Sequence, residues 1–181
     1  MTKNRLTLLI LLSLFSCSLD YKEARIAETM TEETPETILM NFTHTIVHEG
    51  RVAVILEAER AETYTAKEEI HLRGIHYREF GNDGTVLTEA IAGRAVFNTK
   101  SEDASFSDRI IIYSPEEETA LFSESLNWTK EGKRLEANPN ETVRLQKDDG
   151  SFVEGKGFSA GFREKKLEFS SARGEYVWEE E

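Results

Sequence analysis

Apolar residues recur at every second position in short runs, and polar turns break the chain between them. Val52-x-Val54-x-Leu56-x-Ala58 alternates strictly, and Ile70-His71-Leu72, Ala104-Ser105-Phe106, Leu135-Glu136-Ala137 and Leu167-Glu168-Phe169 repeat the pattern. Successive side chains of a strand point to opposite faces, so this period predicts strands with one face covered. Glu49-Gly50, Gly81-Asn82-Asp83-Gly84, Ser114-Pro115-Glu116, Lys130-Glu131-Gly132 and Asp148-Asp149-Gly150 supply the turn residues between them. Leu56 to Ile70 is rich in Ala, Glu and Lys and suits a helix on propensity alone. The alternation just before it, and three further units in the same phase without a helical face, predict strand there instead.

A longer recurrence overlies the alternation. Small residues followed by an aromatic appear as Ala58-x-x-Ala61-x-x-Tyr64, Ala92-x-x-Ala95-x-Phe97, Ser125-Leu126-Asn127-Trp128 and Ser159-Ala160-Gly161-Phe162, with the aromatics 33, 31 and 34 residues apart. Such a period is that of a repeated supersecondary unit, here a pair of strands, and predicts an all-β, elongated stack that grows along one axis. The covered face would hold Phe42, Val52, Val54, Leu56, Ile70, Leu72, Phe106, Ile110, Ile112, Leu126, Trp128, Leu135, Val143, Leu145, Phe158, Leu167 and Phe169. These residues either pack against one another as a dry core or line a groove between sheets, and the pattern alone allows both.

The first residues have another character. Lys3 and Arg5 precede an uncharged, mostly apolar run from Leu6 to Leu19, which holds the single cysteine, Cys17, in the string Leu14-Phe15-Ser16-Cys17. A spanning helix needs about 20 apolar residues and a signal-peptide core about 7 to 15. The run reads as a lipoprotein-type signal, residues 1–16, with Cys17 as the lipidated residue; an ordinary secretory signal and a short uncleaved anchor are the alternatives. Residues 17–37, crowded with Glu and Thr, read as an acidic flexible linker, residues 38–178 as the folded domain and residues 179–181 as an acidic tail.

Charge and chemistry narrow the function. The formal charge is −12; without residues 1–16 the balance is 20 basic against 34 acidic residues, or −14. Phosphate backbones need clustered Lys and Arg, so nucleic-acid binding is set aside. One cysteine forms no internal disulfide. Gly157-Phe158-Ser159-Ala160-Gly161 has the G-x-S-x-G form of serine hydrolases, but an alternating segment follows it where that chemistry needs a helix. His44 and His48 share a strand face about 13 Å apart, too far for one metal. His71 and His76 form no better pair, and no enzyme activity, cofactor or metal is predicted.

The order of several short patterns is similar to one family. Met40-Asn41-Phe42-Thr43, Glu49-Gly50-Arg51 leading into Leu56-Glu57-Ala58-Glu59-Arg60-Ala61, Leu72-Arg73-Gly74-Ile75-His76-Tyr77, Ala92-Gly93-Arg94-Ala95 and Gly155-Lys156-Gly157-Phe158 resemble LptC and its relatives in lipopolysaccharide export. The resemblance implies an elongated β-jellyroll of two antiparallel sheets built from repeated strand pairs. It also implies a periplasmic, membrane-tethered protein that takes the acyl chains of lipopolysaccharide, or a similar amphiphilic lipid, between its sheets. The cargo would come from an inner-membrane ABC transporter and pass to another jellyroll protein by edge strand pairing. The edges implied are Leu39 to Val47, with Phe42, at one end, and Glu175 to Trp178, with Tyr176, Val177 and Trp178, at the other. Relatives are tethered by an amino-terminal helix, whereas a lipid on Cys17 would do that here. The acidic surface leaves two options, headgroups held in solvent or a different amphiphile.

Overall fold

The computed structural model describes residues 33–177, so the expected lipidation at Cys17, the signal segment, Trp178 and the acidic tail lie outside the described residues. Within them the chain is all-β apart from one turn of 3-10 helix, Thr65–Lys67. Six long strands come first: β1 Thr37–His48, β2 Arg51–Tyr64, β3 Glu69–Phe80, β4 Val86–Asn98, β5 Ala104–Ser114 and β6 Thr119–Thr129. Six short ones follow: β7 Arg134–Glu136, β8 Val143–Lys147, β9 Phe152–Lys156, β10 Ser159–Gly161, β11 Lys166–Glu168 and β12 Ser171–Glu175. The predicted turns fall between strands. Glu49 and Gly50 both take positive φ, 51° and 79°, the two-residue turn whose twist suits a tight hairpin. The segment Leu56 to Ile70 is strand on both sides of the 3-10 turn, as alternation indicates.

The chain is all-β as expected, and all twelve strands join one antiparallel sheet, in which a division into two sheets is not shown. The order runs β1-β2-β3-β4-β5-β6 and then forks: the first part of β6 pairs β8, which continues to β9 and β12, and the last part pairs β7, which continues to β10 and β11. The fork has a simple origin. β7 with β8, β9 with β10 and β11 with β12 are each one strand interrupted midway, so the chain is a meander of bent strands in which each pairs its sequence neighbours.

The same interruption crosses β1 to β6. Pairing lapses for one position between Met40↔Arg60 and Phe42↔Ala58, between Arg60↔Arg73 and Ala58↔Ile75, and between Arg73↔Arg94 and Ile75↔Ala92, while the register is kept on both sides. β5 carries one residue more than its neighbours at this line, between Ser107 and Ile110, a true bulge. Asn41, Gly74, Asp108 and Arg109 take φ of 51°, 61°, 68° and 52° there. The sheet is therefore creased along one line.

The crease explains the small-residue pairs. In a flat strand residues three apart face opposite ways, yet Ala58 and Ala61, Leu72 and Ile75, and Ala92 and Ala95 are all buried. Bending at the crease returns both members to the concave side. Gly74 and Gly93 serve the convex side: a Cβ on Gly74 would lie 2.6 Å from the Glu59 side chain, and one on Gly93 would lie 2.6 Å from Asp108 Cβ. The crease needs these two glycines because neighbouring side chains fold over their backbone.

Candidate functional site

The register connects the concave residues into rows that run across the strands. Beside the crease, one half of the sheet contributes Phe42, Ala58, Ile75, Ala92, Ile110, Ser123, Val143 and Gly155, and the other contributes Leu39, Ala61, Leu72, Ala95, Phe106, Leu126, Ala137, Phe158 and Phe169. One position further out, the first half carries His44, Leu56, Tyr77, Ala90, Ile112, Leu121, Leu145 and Val153. The other half carries Thr63, Ile70, Phe97, Ala104, Trp128, Leu135, Ala160 and Leu167. At about 4.8 Å per strand, nine bent strands give a lining on the order of 40 Å long.

Burial grades outward from the crease. Apart from Leu39 at the exposed β1 edge, Ser123 and Gly155, the residues of both inner rows form one apolar cluster, with Val143, Leu126 and Phe158 exposed by 0, 1 and 2%. Leu56, Ile70, Ile112, Trp128 and Leu145 in the outer rows are half-buried against it. From β2 to β4 the floor is built mainly of alanines, Ala58, Ala61, Ala92 and Ala95, whose small side chains leave depth. Toward β6 to β10 the floor fills. Leu121 and Leu135 of the outer rows are buried as well, and Phe158 and Phe169 pack with ring centroids 5.4 Å apart. The arrangement is a cleft with an apolar floor, open near β1 and shut near the fork.

Most of the residues expected on the covered face meet here: Phe42, Val54, Leu56, Ile70, Leu72, Phe106, Ile110, Ile112, Leu126, Trp128, Leu135, Val143, Leu145, Phe158, Leu167 and Phe169 all fall in the concave rows or extend them, Val54 following Leu56 opposite Ile46. Two depart from the covered core. Val52 is 41% exposed, because the register shift between Ile46 and Val47 pairs Val54 with Ile46 but Val52 with Val47. It lines a hairpin-end pocket with Ile55 and Phe80 instead. Leu167 is 48% exposed, since β11 is the free margin of the sheet and nothing covers it from beyond.

The two margins differ. β1 pairs only β2, over its whole twelve-residue length, and its Ile38, Leu39, Met40, Ile46 and Val47 are exposed. A long unpaired edge with apolar side chains is a template for another strand. Phe42 lies on this edge with its ring turned into the cleft, half-buried. The opposite margin consists of the short β11 and β12. The edge expected from Glu175 onward is displaced: β12 ends at Glu175, Tyr176 lines a pocket of about 350 Å³ with Leu145, Phe152 and Val153, and the Val177 amide donates to Ser151 Oγ at 2.9 Å.

Polar groups in the cleft escape the alternation pattern. Tyr77 sits between Leu56 and Ala90, and burial, with the Glu79 charge adding to it, pushes its phenol up to about 12. It remains a neutral hydroxyl donor at any physiological pH. Glu141, in the connection between β7 and β8, binds the far end of the crease: Ser123 Oγ donates to it at 2.6 Å and the amides of Glu124 and Ser125 at 2.7 and 2.5 Å, with Ser125 Oγ closing the set. Burial pushes this carboxyl up, but the Ser123 and Ser125 hydroxyls and the two amides outweigh it and hold the group below its ordinary value. No local pattern marks Glu141, since its partners are 16 to 18 residues away. Ser159, of the G-x-S-x-G string, lies in β10 with its hydroxyl between Arg134 and Glu136, and the chain runs on into a turn and strand β11. His71 pairs with Glu69, and His76 lies 3.5 Å from Glu57 on the convex face.

A family model described as lipopolysaccharide-assembly, LptC-related, matches residues 6–177. The chain belongs to the LptC-related family. Membership gives it a role in lipopolysaccharide assembly and transport, a process of the cell envelope. The match begins within the apolar run at Leu6 and ends at Val177, so it takes in the cleft, the crease and both margins of this LptC-related sheet. No curated protein matches the chain.

Proposed function

We propose that this protein is a membrane-tethered periplasmic carrier whose creased sheet serves as a jellyroll groove, holding the acyl chains of lipopolysaccharide or a similar glycolipid between its two halves. The supporting observation is the grading of the concave face, mostly apolar with Ser123, His44, Tyr77 and Thr63 as polar interruptions, buried at the crease and half-open along Leu56, Ile70, Ile112 and Trp128. Moving one methylene out of water contributes about 0.8 kcal/mol, so a single acyl chain of a dozen methylenes gains on the order of 10 kcal/mol at most. Neighbouring stretches of such a cleft differ little in affinity. Directional transfer therefore draws its energy from an inner-membrane ABC transporter, and cargo leaves to a bridge jellyroll joined by edge strand pairing. The acidic surface, with a formal charge of −12, favours headgroups that stay in solvent. Cys17, if lipidated, supplies the tether; metabolic labelling with a radioactive fatty acid should mark the wild-type chain and leave Cys17→Ala unlabelled.

The deciding experiment is lipid capture. Full-length protein purified from envelopes is expected to carry a stoichiometric acylated ligand in native mass spectrometry. Lipid-free protein that also refuses added lipopolysaccharide would support the other reading, a structural surface lipoprotein with a closed core. The shut end of the cleft, with Val143 and Phe158 exposed by 0 and 2%, is what that second reading rests on.

A further inference from the structure

The free edge of β1 carries the crease to the margin of the sheet. Its concave residues Ile46, His44 and Phe42 alternate by two, the next concave residue is Leu39, three positions from Phe42, and Asn41 takes the break with φ of 51°. β2, β3, β4 and β6 meet the same demand with a spacing of three, Ala58 and Ala61, Leu72 and Ile75, Ala92 and Ala95, Ser123 and Leu126, and the bulged β5 meets it with a spacing of four, Phe106 and Ile110. A regularly alternating strand laid on β1 keeps its apolar face in the cleft on one side of Asn41 only. Past that point its parity is inverted and its apolar residues face the convex surface beside Met40.

We infer that β1 selects its partner by this spacing: the docking strand is the edge of another creased sheet and carries concave apolar residues three positions apart, opposite Phe42 and Leu39. The inference rests on the edge pairing proposed above and adds the sequence rule that decides which strands fit. The backbone refines the rule. Asn41, Gly74 and Asp108 of β1, β3 and β5 are left-handed at the crease, whereas Glu59, Gly93 and Glu124 of β2, β4 and β6 are not. An incoming strand takes the place of a strand of the second kind, so it needs no glycine at its break. Its own spacing, rather than a special residue, is what admits it.

The test uses the full-length protein and peptides with the β2 sequence, which already satisfies the rule against the inner side of β1. One peptide is Arg51 to Tyr64 unchanged. A second lacks Glu59, which brings Ala58 and Ala61 to a spacing of two, and a third lacks Glu62, which changes charge and length equally and keeps the spacing of three. Amide hydrogen exchange is followed at Leu39 to Val47. The first and third peptides are expected to slow exchange on both sides of Asn41, and the second to bind about tenfold more weakly, because cross-strand pairs on one side are lost. Equal protection by all three would overturn the spacing rule and leave edge pairing standing. Protection by none would overturn edge pairing, and the rule with it.

Discussion

Truncating one leucine at the floor of the cleft and one on its wall separates stability from cargo binding. Leu126 is 1% exposed where β6 crosses the crease, opposite Phe106. Replacing it by Ala removes a fully buried side chain and leaves an enclosed space, so the cost falls at about 3 kcal/mol within the usual 2.7–5 kcal/mol range. Leu56 is half-buried in the outer row opposite Tyr77. Full burial of a leucine stabilises by roughly 1.5–3 kcal/mol, and a half-open position that leaves no closed cavity forfeits about 1 kcal/mol. In a domain of this size each kcal/mol moves Tm by about 2–4 °C. Leu126→Ala should therefore lose roughly 6–12 °C and Leu56→Ala roughly 2–4 °C by circular dichroism. Displacement of a fluorescent fatty acid, measured well below both midpoints, should show the reverse order, with binding weakened by Leu56→Ala and little changed by Leu126→Ala. Equal losses of Tm would mean that the wall at Leu56 is as closed as the floor. A small loss with unchanged displacement would remove Leu56 from the cargo surface.

Gly93→Ala places a Cβ 2.6 Å from Asp108 Cβ and 3.0 Å from its carbonyl oxygen, and should cost about 1–3 kcal/mol in chemical denaturation; Gly84→Ala, at φ 85° with nothing within 4 Å, should cost about 1 kcal/mol. If the two cost the same, close packing at the crease is not what Gly93 provides. Glu141 has a depressed folded pKa, so its contribution is present at neutral pH and fades as pH falls through the acid range below the ordinary carboxylate value. Glu141→Gln should cost about 2 kcal/mol at pH 7 and progressively less toward pH 3, and a pH-independent difference would refute the charged clasp. Ile46→Lys sets a charge on the exposed concave side of the β1 edge; stability should stay within about 0.5 kcal/mol, while photo-crosslinking from Thr43 to an envelope partner disappears. Persistent crosslinking would place the partner elsewhere.

Much of this fold is legible in residue order because each strand pairs with its sequence neighbour. Alternation and turn residues are local signals, and here local order is also the pairing order. The aromatic spacing near 33 is two strands, and the Ile70-x-Leu72, Ala104-x-Phe106, Leu135-x-Ala137 and Leu167-x-Phe169 pairs form the concave rows of one half-sheet. The pairs Ala58-x-x-Ala61 and Ala92-x-x-Ala95 stand out in the sequence as a recurrence, but their meaning is geometric. A spacing of three is neither strand nor helix period, and only the crease turns both members inward. The continuity of the sheet across the crease follows from the same bend, which alternation does not encode. Val52 departs because one local register shift overrides parity, and Glu141 stays hidden because its partners come from another strand.

The meander also bears on how the molecule is made. No strand waits for a distant partner: β2 completes β1, β3 completes β2, and so on to the fork, where β7 to β12 zip both halves in the same order. All-β domains are usually slow to form because non-local pairings must close long loops first. Here loop closure is short at every step, so a chain delivered residue by residue can fold as it arrives. Until the last strand is in place, the growing margin exposes one edge at a time, and after that β1 remains the longest one open.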